Sequence, residues 1–561
     1  MSTHARPLAD RLAAASDAQL ERLLRVRGVR ADAGWGDFFD AAEALLEPGS
    51  IERGLADLTR DEARMLHDAA QGHPAPGALP ALAALGFVDG DDHLSPPVAA
   101  AALAHPPVGD DAQRADPPAT TSESARAAER AFATVAALAD LLLAARSTPL
   151  ALVATGTLSA TEKRRLPSVG DLDDLRELAE MTGLVRAVDR ELRVTARAED
   201  WLDASFGARW TQLAAAFRAA LPRGIRSGDG WTPPAAWDDA YPWSPQWPAR
   251  AARLRVLAGL LGLRTSEDTE PEWAADLRRG TQPDASSLTV LLPTEVDRLF
   301  LQNDLTAIAP GPLQPALDNR LRAMTEHESA AQASSYRFTA DSLSRAMIDG
   351  ESEQSILEFL RAVSLTPLPQ PLEYLVAQTA ARHGLVRVGP DATGGTTVSS
   401  TDEHLLQAIE VDRNLRPLGL IRDGDRLESR VSAETVAWAL SDARYPATLV
   451  DRDGAAIATQ RRRLAPAPEP GGAPYAALIA RLRSHRGPDA DAAWLDRELE
   501  AAVRSRALVL VEVAMPDGSS RELTLEASGL GGGRLRGRDR TADVERTLPV
   551  RSIRSVRVLQ S

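Results

Sequence analysis

The stretch that decides the fold runs from Leu299 to Val388. It reads L-F-L-Q-N-D-L-T-A-I-A-P (Leu299–Pro310), then S-Y-R-F-T-A-D-S-L (Ser335–Leu343), then L-T-P-L-P-Q-P-L-E-Y-L (Leu365–Leu375), and closes on H-G-L-V-R-V (His383–Val388). Apolar Leu299, Leu301, Leu305 and Ile308 predict a short buried strand pair, interrupted at Asn303-Asp304. Thr339 is placed to cap a helix presenting Leu343, Ala346 and Met347, which Gly350 stops. Ser352 caps the next, with Ile356, Leu357, Leu360 and Val363 on one face. Pro367–Pro371 breaks that helix, and Leu372, Leu375, Val376, Thr379 and Ala380 restart the helical period. Helix, tight turn, helix, short loop, helix and hairpin is the order of a winged helix-turn-helix, a fold that reads nucleic acid.

Four blocks within this stretch occur in order: Gln302-x-Asp304-x-Thr306, Tyr336-Arg337-x-Thr339-x-x-Ser342-Leu343, Pro367-x-Pro369-Gln370 and Gly384-Leu385-Val386-Arg387. Together they resemble the N-terminal domain found beside the motor in XPB-type DNA helicases. That domain is also the core of actinobacterial helicase-associated proteins, called helicase C-terminal-like. The resemblance covers about 90 residues and departs from the family at Pro371, where a polar residue is more usual. It implies an XPB-type helicase, or another repair or transcription protein, as partner. The motif residues Gln302, Asp304, Thr306, Tyr336, Arg337, Thr339, Ser342, Pro369 and Gln370 are expected to serve the fold, as a carboxylate capping a turn or an arginine in a buried ion pair.

Composition argues against a motor. The chain holds a single lysine, Lys163, in S-A-T-E-K-R-R. A phosphate-binding loop needs G-x-x-x-x-G-K-[ST]. Here Glu162 replaces the second glycine and Arg164 the hydroxyl residue. Cysteine is absent, which removes thiol nucleophiles, cysteine-held zinc and disulfides. His327-Glu328 opens an H-E pair, but Ala331 stands where the second zinc ligand would be. No G-x-S-x-G elbow occurs. Asp91-Asp92 and Asp110-Asp111 lie in Pro/Gly-rich stretches and read as solvated turns. The expectation is a non-enzymatic chain with no cofactor and no metal.

At 561 residues there is room for three or four domains, and 44% hydrophobic with 25% charged residues is the balance of a globular protein. No apolar run approaches the roughly 20 residues that span a bilayer, and M-S-T-H-A-R-P-L-A-D lacks a signal core. A cytoplasmic protein without membrane contact is expected. The net charge of −15 argues against indiscriminate polyanion binding. Screening over about 8–10 Å still leaves room for a local basic face. Candidate DNA contacts are Gln378, Arg382 and Arg387 on the third helix and its hairpin, Arg461, Arg462 and Arg463 before a Pro-rich linker, and Arg534, Arg536 and Arg538 near the C-terminus.

One signature recurs: helix, glycine, two apolar residues, turn. It appears at Leu85–Leu94, Thr182–Val194, His383–Val388 and Leu418–Leu427. Glycine supplies the left-handed residue that ends the helix, and Asp89-Gly90 or Asp423-Gly424 the hairpin turn. The copies suggest tandem winged-helix-like modules. Between them, His105–Ser124 lacks periodicity and reads as flexible. Trp231, Trp237, Trp243 and Trp247 sit in a Pro-rich loop, read as a staple onto helices in preference to a base-stacking platform. After Trp494-Leu495-x-x-Glu498-Leu499, strand alternation around Asp517-Gly518 and the closing R-T-L-P-V-R-S-I-R-S-V resemble the Sm-like barrel of WYL domains. Gly533-Arg534-Leu535 stands where that family has its naming tripeptide.

The expected fold is therefore mainly α with α+β modules: tandem winged-helix-like domains, an XPB-N-like centre and a small C-terminal Sm/SH3-like β-barrel (WYL-like). Boundaries are set at 1–104, a linker 105–125, 126–280, 285–463, a linker 464–490, and 491–561. The expected role is a DNA-binding accessory protein of an XPB-type helicase system in repair or transcription. The alternatives are a WYL-type regulator sensing a ligand, or a scaffold that docks a helicase without touching DNA.

Overall fold

Helix caps, left-handed glycines and hairpins set most of the local structure, and they assemble into a chain roughly half helical with several small sheets. The structure is a computed structural model that describes residues 5–73, 79–88, 93–109, 115–166, 171–330, 334–391, 395–452, 454, 457, 464–467, 474–484, 490–515 and 519–559. It divides into two compact units. One comprises Met1–Asp116, Pro222–Arg255 and Pro468–Ser561; the other comprises Pro117–Leu221 and Val256–Ala467. Among the described residues, no helix is long and apolar enough to cross a membrane.

In the first unit, short helices pack around Leu8, Leu24, Phe38, Phe39 and Phe87. Ser16 with Gln19, and Thr59 with Glu62, form reciprocal caps that start two of these helices. Arg27 is buried among them and donates to the carbonyls of Leu45 and Leu85 and to Ser50 Oγ. Burial, reinforced by Arg53, pulls its pKa down to about 10, and the guanidinium stays charged at neutral pH. The four tryptophans of the Pro-rich loop are all buried. Trp237 Nε1 donates to Thr232 O (2.8 Å) and Trp247 Nε1 to Trp237 O. They staple the loop, and no indole is left exposed for a base.

The expected flexible segment is corrected at both described ends. His105 stacks on Trp243 at 5.0 Å, and Trp243 Nε1 donates to Pro106 O. In the other unit, Ala119 N donates to Glu270 O, and Thr120 caps a 27-residue helix, Thr121–Ser147. Aperiodic sequence here means irregular backbone with tertiary partners. Residues 110–114 lie outside the described residues.

The C-terminal strands form one antiparallel sheet in the order Val544–Pro549, Arg534–Asp539, Ser520–Gly531, Leu508–Ala514, Ile553–Val558. The two outer strands do not pair, so the expected closed barrel is an open sheet. The helix Ala490–Ser505 supplies the missing cover, packing Leu495, Leu499 and Ala502 against Val509, Val511 and Leu525. A sheet whose apolar face is roofed by a helix does not have to close on itself. The Asp517-Gly518 turn lies outside the described residues.

In the second unit, Thr121–Ser147 is followed by strand Leu150–Ala151, helices Ala160–Arg165 and Leu172–Met181, and hairpin Val185–Val188/Glu191–Val194. Asp189 and Arg190, both at positive φ, turn the hairpin. Farther on, Phe300–Leu301, Thr306–Ala309, Ser334–Arg337 and Glu326–Ala330 form a four-stranded antiparallel sheet in that order. The third and fourth helix-glycine-hairpin copies do not make separate wings. Their strands merge into one five-stranded sheet ordered Ile421–Asp423, Arg426–Ser429, Thr396–Ser400, Val386–Pro390, Ala447–Leu449, the last pair parallel. Val398 opposite Leu427 buries the seam between the two hairpins, which neither could cover alone. Gly384 and Gly419 adopt the left-handed conformation as expected. For Leu85–Leu94 a single Val88–Leu94 bridge is present, and Asp89-Gly90 lies outside the described residues.

Back in the first unit, Glu498 is 2% exposed, with Arg6 Nη1 at 3.8 Å as its salt-bridge partner. Burial pushes its carboxyl up to about 7, with Arg6 opposing and Asp10 adding. An unfolded glutamate loses its proton near pH 4.3. Between that value and about 7 the folded protein therefore holds a proton the unfolded chain has lost. The corresponding stability is present below about pH 4.3 and is lost as pH rises through 7. Thermal melts from pH 5 to 8 should show this loss, roughly 2–4 kcal/mol, and Glu498→Gln should flatten it. An identical pH profile for the variant would show that Glu498 is ionised throughout.

Candidate nucleic-acid interface

The second unit presents one helix, Gln370–Arg382, whose outer side is unused by the core. Ser352 and Ser355 form the reciprocal cap of the preceding helix, Glu353–Val363. The turn between the two is stitched to the strand Phe300–Leu301: Leu299 N donates to Val363 O (3.0 Å), Leu365 N to Leu299 O (2.8 Å), Leu301 N to Thr366 Oγ1 (3.1 Å) and Thr366 Oγ1 to Leu301 O (3.0 Å). Pro369 takes the N-cap and Pro371 falls in the first turn. Proline is tolerated there because that N–H has no helical acceptor anyway. The departure at Pro371 therefore leaves the helix start intact.

Leu372 and Val376 point inward to Leu343, Ile356 and Leu360. The opposite side carries Tyr374, Gln378 and Arg382, four residues apart and so on one face. Tyr374 is 67% exposed. Its exposure follows from the same spacing that places Gln378 and Arg382, yet the apolar Leu372, Leu375 and Val376 around it disguise it as core. Past Gly384, Arg387 is exposed between buried Val386 and Val388, and its strand neighbours are Ser399 and Thr448. Among the described residues, neither Arg382 nor Arg387 pairs with a carboxylate. Arg361 does, with Glu373 at 3.0 Å.

The motif residues lie beneath this face and are spent on the fold. Thr306 N donates to Asp304 Oδ1 (3.1 Å), and Thr306 Oγ1 reaches Asp304 and Gln302. These bonds hold Asp304 below the usual carboxylate range and pin Leu305 at φ +66°. Arg337 Nη1 donates to Asp304 O (3.3 Å). Thr339 and Ser342 cap each other, and Ser342 Oγ donates to Met324 O (2.9 Å). Gln370 is exposed at the helix start. A buried ion-paired arginine of this region is Arg322, which sequence reading missed. Arg322 bridges Asp318 (2.9 Å) and Asp140, and Tyr336 Oη donates to Asp318 Oδ1 (2.6 Å). Asp140 comes from the Thr121–Ser147 helix, and no local pattern announces a partner 182 positions away. Burial and then Asp318 push the Tyr336 phenol far above its ordinary range, so it remains a donor.

In the first unit, Arg534, Arg536 and Arg538 alternate with buried Leu535, Gly537 and Asp539. They share an exposed face but differ in neighbours. Arg538 lies between Glu526 and Glu545 and pairs with Asp543 at 2.8 Å. Arg536 lies between Gly529 and Thr547, and Arg534 between Gly531 and Pro549. Asp539 turns inward to Arg546. Two of the three guanidiniums are thus open. Arg461, Arg462 and Arg463 lie outside the described residues.

Residues 299–423 match the family described as helicase conserved C-terminal domain. This part of the chain is helicase-related, and it contains the exposed helix and the start of its hairpin sheet. No curated protein is significantly similar to the chain.

The Tyr336–Asp318–Arg322 linkage should be measurable as stability. Tyr336→Phe removes a hydrogen bond to a carboxylate and should cost about 1.5–3 kcal/mol in denaturant unfolding. Tyr374→Phe, on the exposed face, should stay within about 0.5 kcal/mol. Equal effects at the two positions would contradict the assignment of one tyrosine to the fold and the other to the surface.

Proposed function

We propose that this protein is a non-catalytic nucleic-acid-binding accessory of an XPB-type helicase system, acting in DNA repair or transcription. The single observation that carries the reading is the outer face of the Gln370–Arg382 helix, with Tyr374, Gln378, Arg382 and neighbouring Arg387 free of acidic partners inside a helicase-related region. A helix-turn-helix followed by a hairpin is a geometry that offers a helix to nucleic acid while the hairpin flanks it. Gln378 supplies a donor and an acceptor for base edges, and the arginines supply phosphate contacts. The lone lysine outside any phosphate-binding loop supports the absence of a motor in this chain. Arg534 and Arg536 add a second open basic pair.

A protein-docking scaffold is the second reading. The net charge of −15 favours it, as do exposed Val411 (75%) and Ile421 (72%) on elements joined by Arg422 to Glu403 and Glu410. A salt titration separates the two. Each phosphate contact contributes roughly 0.9 to the slope of log affinity against log salt on duplex DNA. Arg382→Ser with Arg387→Ser should lower the slope by nearly two units, as should Arg534→Ser with Arg536→Ser. Arg538→Ser should change it little, because Asp543 already neutralises that guanidinium. Binding that is absent, or insensitive to salt, would leave the scaffold.

A further inference from the structure

We propose that the Gln370–Arg382 face takes unpaired, single-stranded nucleic acid, with Tyr374 as the stacking platform for a base; this rests on the reading just given. The face is too apolar and too weakly charged to be driven by a duplex backbone. Tyr374 is 67% exposed, and Leu365, in the turn that leads into the helix, is 52% exposed. Pro367 and Pro371 are exposed beside them. At this end Arg361 is already paired with the Glu373 carboxylate, and Arg298 donates to Ala362 O at 2.9 Å. A double helix laid here would bring phosphates against a neutralised ion pair and an apolar rim, with Arg298, Arg382 and Arg387 to hold them. Duplex affinity draws heavily on the number of phosphates neutralised, so this is a poor duplex site.

Unstacked bases change the balance. They expose π-faces that stack on aromatic side chains regardless of sequence. They also expose Watson–Crick edges that a side-chain amide can meet with both donor and acceptor. Tyr374, Gln378 and Arg382 stand in that order along one helix face, and the eight helical steps from first to last span roughly 12 Å. That length suits a few nucleotides of a single strand: a base on Tyr374, a base edge at Gln378 and a phosphate at Arg382. The bonds between Leu299–Leu301 and Val363–Thr366 fix the turn beneath this face, so the platform is formed before ligand arrives.

The test uses the full chain, fluorescence anisotropy, a 20-nucleotide oligothymidylate and a blunt duplex of equal length. The single strand should bind at least about tenfold more tightly than the duplex at moderate salt. Tyr374→Ala should weaken single-strand binding roughly tenfold or more without altering its salt slope, whereas Tyr374→Phe should retain it. Arg382→Ser should instead lower the slope by about 0.7, the single-strand value per phosphate. Unchanged melting of Tyr374→Ala, expected for an exposed side chain, would show that folding is not the cause. Duplex bound as tightly as single strand, or single-strand binding indifferent to Tyr374→Ala, would overturn the proposal and assign the exposed tyrosine to a protein partner. If duplex is preferred through Arg382 and Arg387, only the single-strand assignment fails. If neither nucleic acid binds, the functional reading fails with it.

Discussion

Four hydrogen bonds between the backbone of Leu299–Leu301 and the turn Val363–Thr366 hold the candidate interface in place. They join the first strand of the helicase-related region to the bend between the helices Glu353–Val363 and Gln370–Arg382. The bend therefore cannot open without breaking a strand contact. With the bend fixed, Leu372 and Val376 enter the core, and helical geometry sends Tyr374, Gln378 and Arg382 the other way. The motif residues act at the same junction. Asp304 and Thr306 hold the strand turn, Tyr336 anchors to Asp318, and Thr339 with Ser342 starts the helix Ala340–Ile348. Most of them shape the platform from beneath, whereas Gln370 is exposed on the helix itself.

Electrostatics sorts the exposed arginines more sharply than sequence position does. A chain with net charge −15 covers many of its cations with acids, as Arg361, Arg422 and Arg538 show. Arg382, Arg387, Arg534 and Arg536 escape because their nearest strand or helix neighbours carry no carboxylate. An exposed ion pair contributes little to stability, but it removes a cation from the set available to phosphates. Charge neutralisation thus selects binding surfaces inside an acidic protein.

The sequence was most legible where a local rule acts alone. Thr339 and Ser352 cap their helices, Gly384 and Gly419 end theirs in the left-handed region, and the strand pair breaks at Asn303-Asp304. Alternation at Arg534–Asp539 correctly placed three arginines outward. Long-range choices were not legible. Nothing near Arg322 names Asp140, and two hairpins of equal local quality gave no sign that they share one sheet. The closed barrel failed for a related reason, since strand patterns do not say that a helix will roof the sheet. His105–Ser124 reads as flexible because it lacks a period, and period says nothing of the partners that Trp243 and Glu270 supply at its described ends in their respective units. Within the candidate site, residue type singles out Gln378, Arg382 and Arg387, and the structure shows all three exposed; Tyr374 gives no such signal because it sits among Leu372, Leu375 and Val376.

The central claim is that the outer face of the Gln370–Arg382 helix meets nucleic acid. Photocrosslinking with a single strand bearing a light-activated pyrimidine, followed by mass spectrometric mapping of the attached residue, tests it without any substitution. The account predicts adducts on Tyr374 and its immediate neighbours, lost when unlabelled strand competes. Adducts confined to other parts of the chain, with none on this helix, would contradict it.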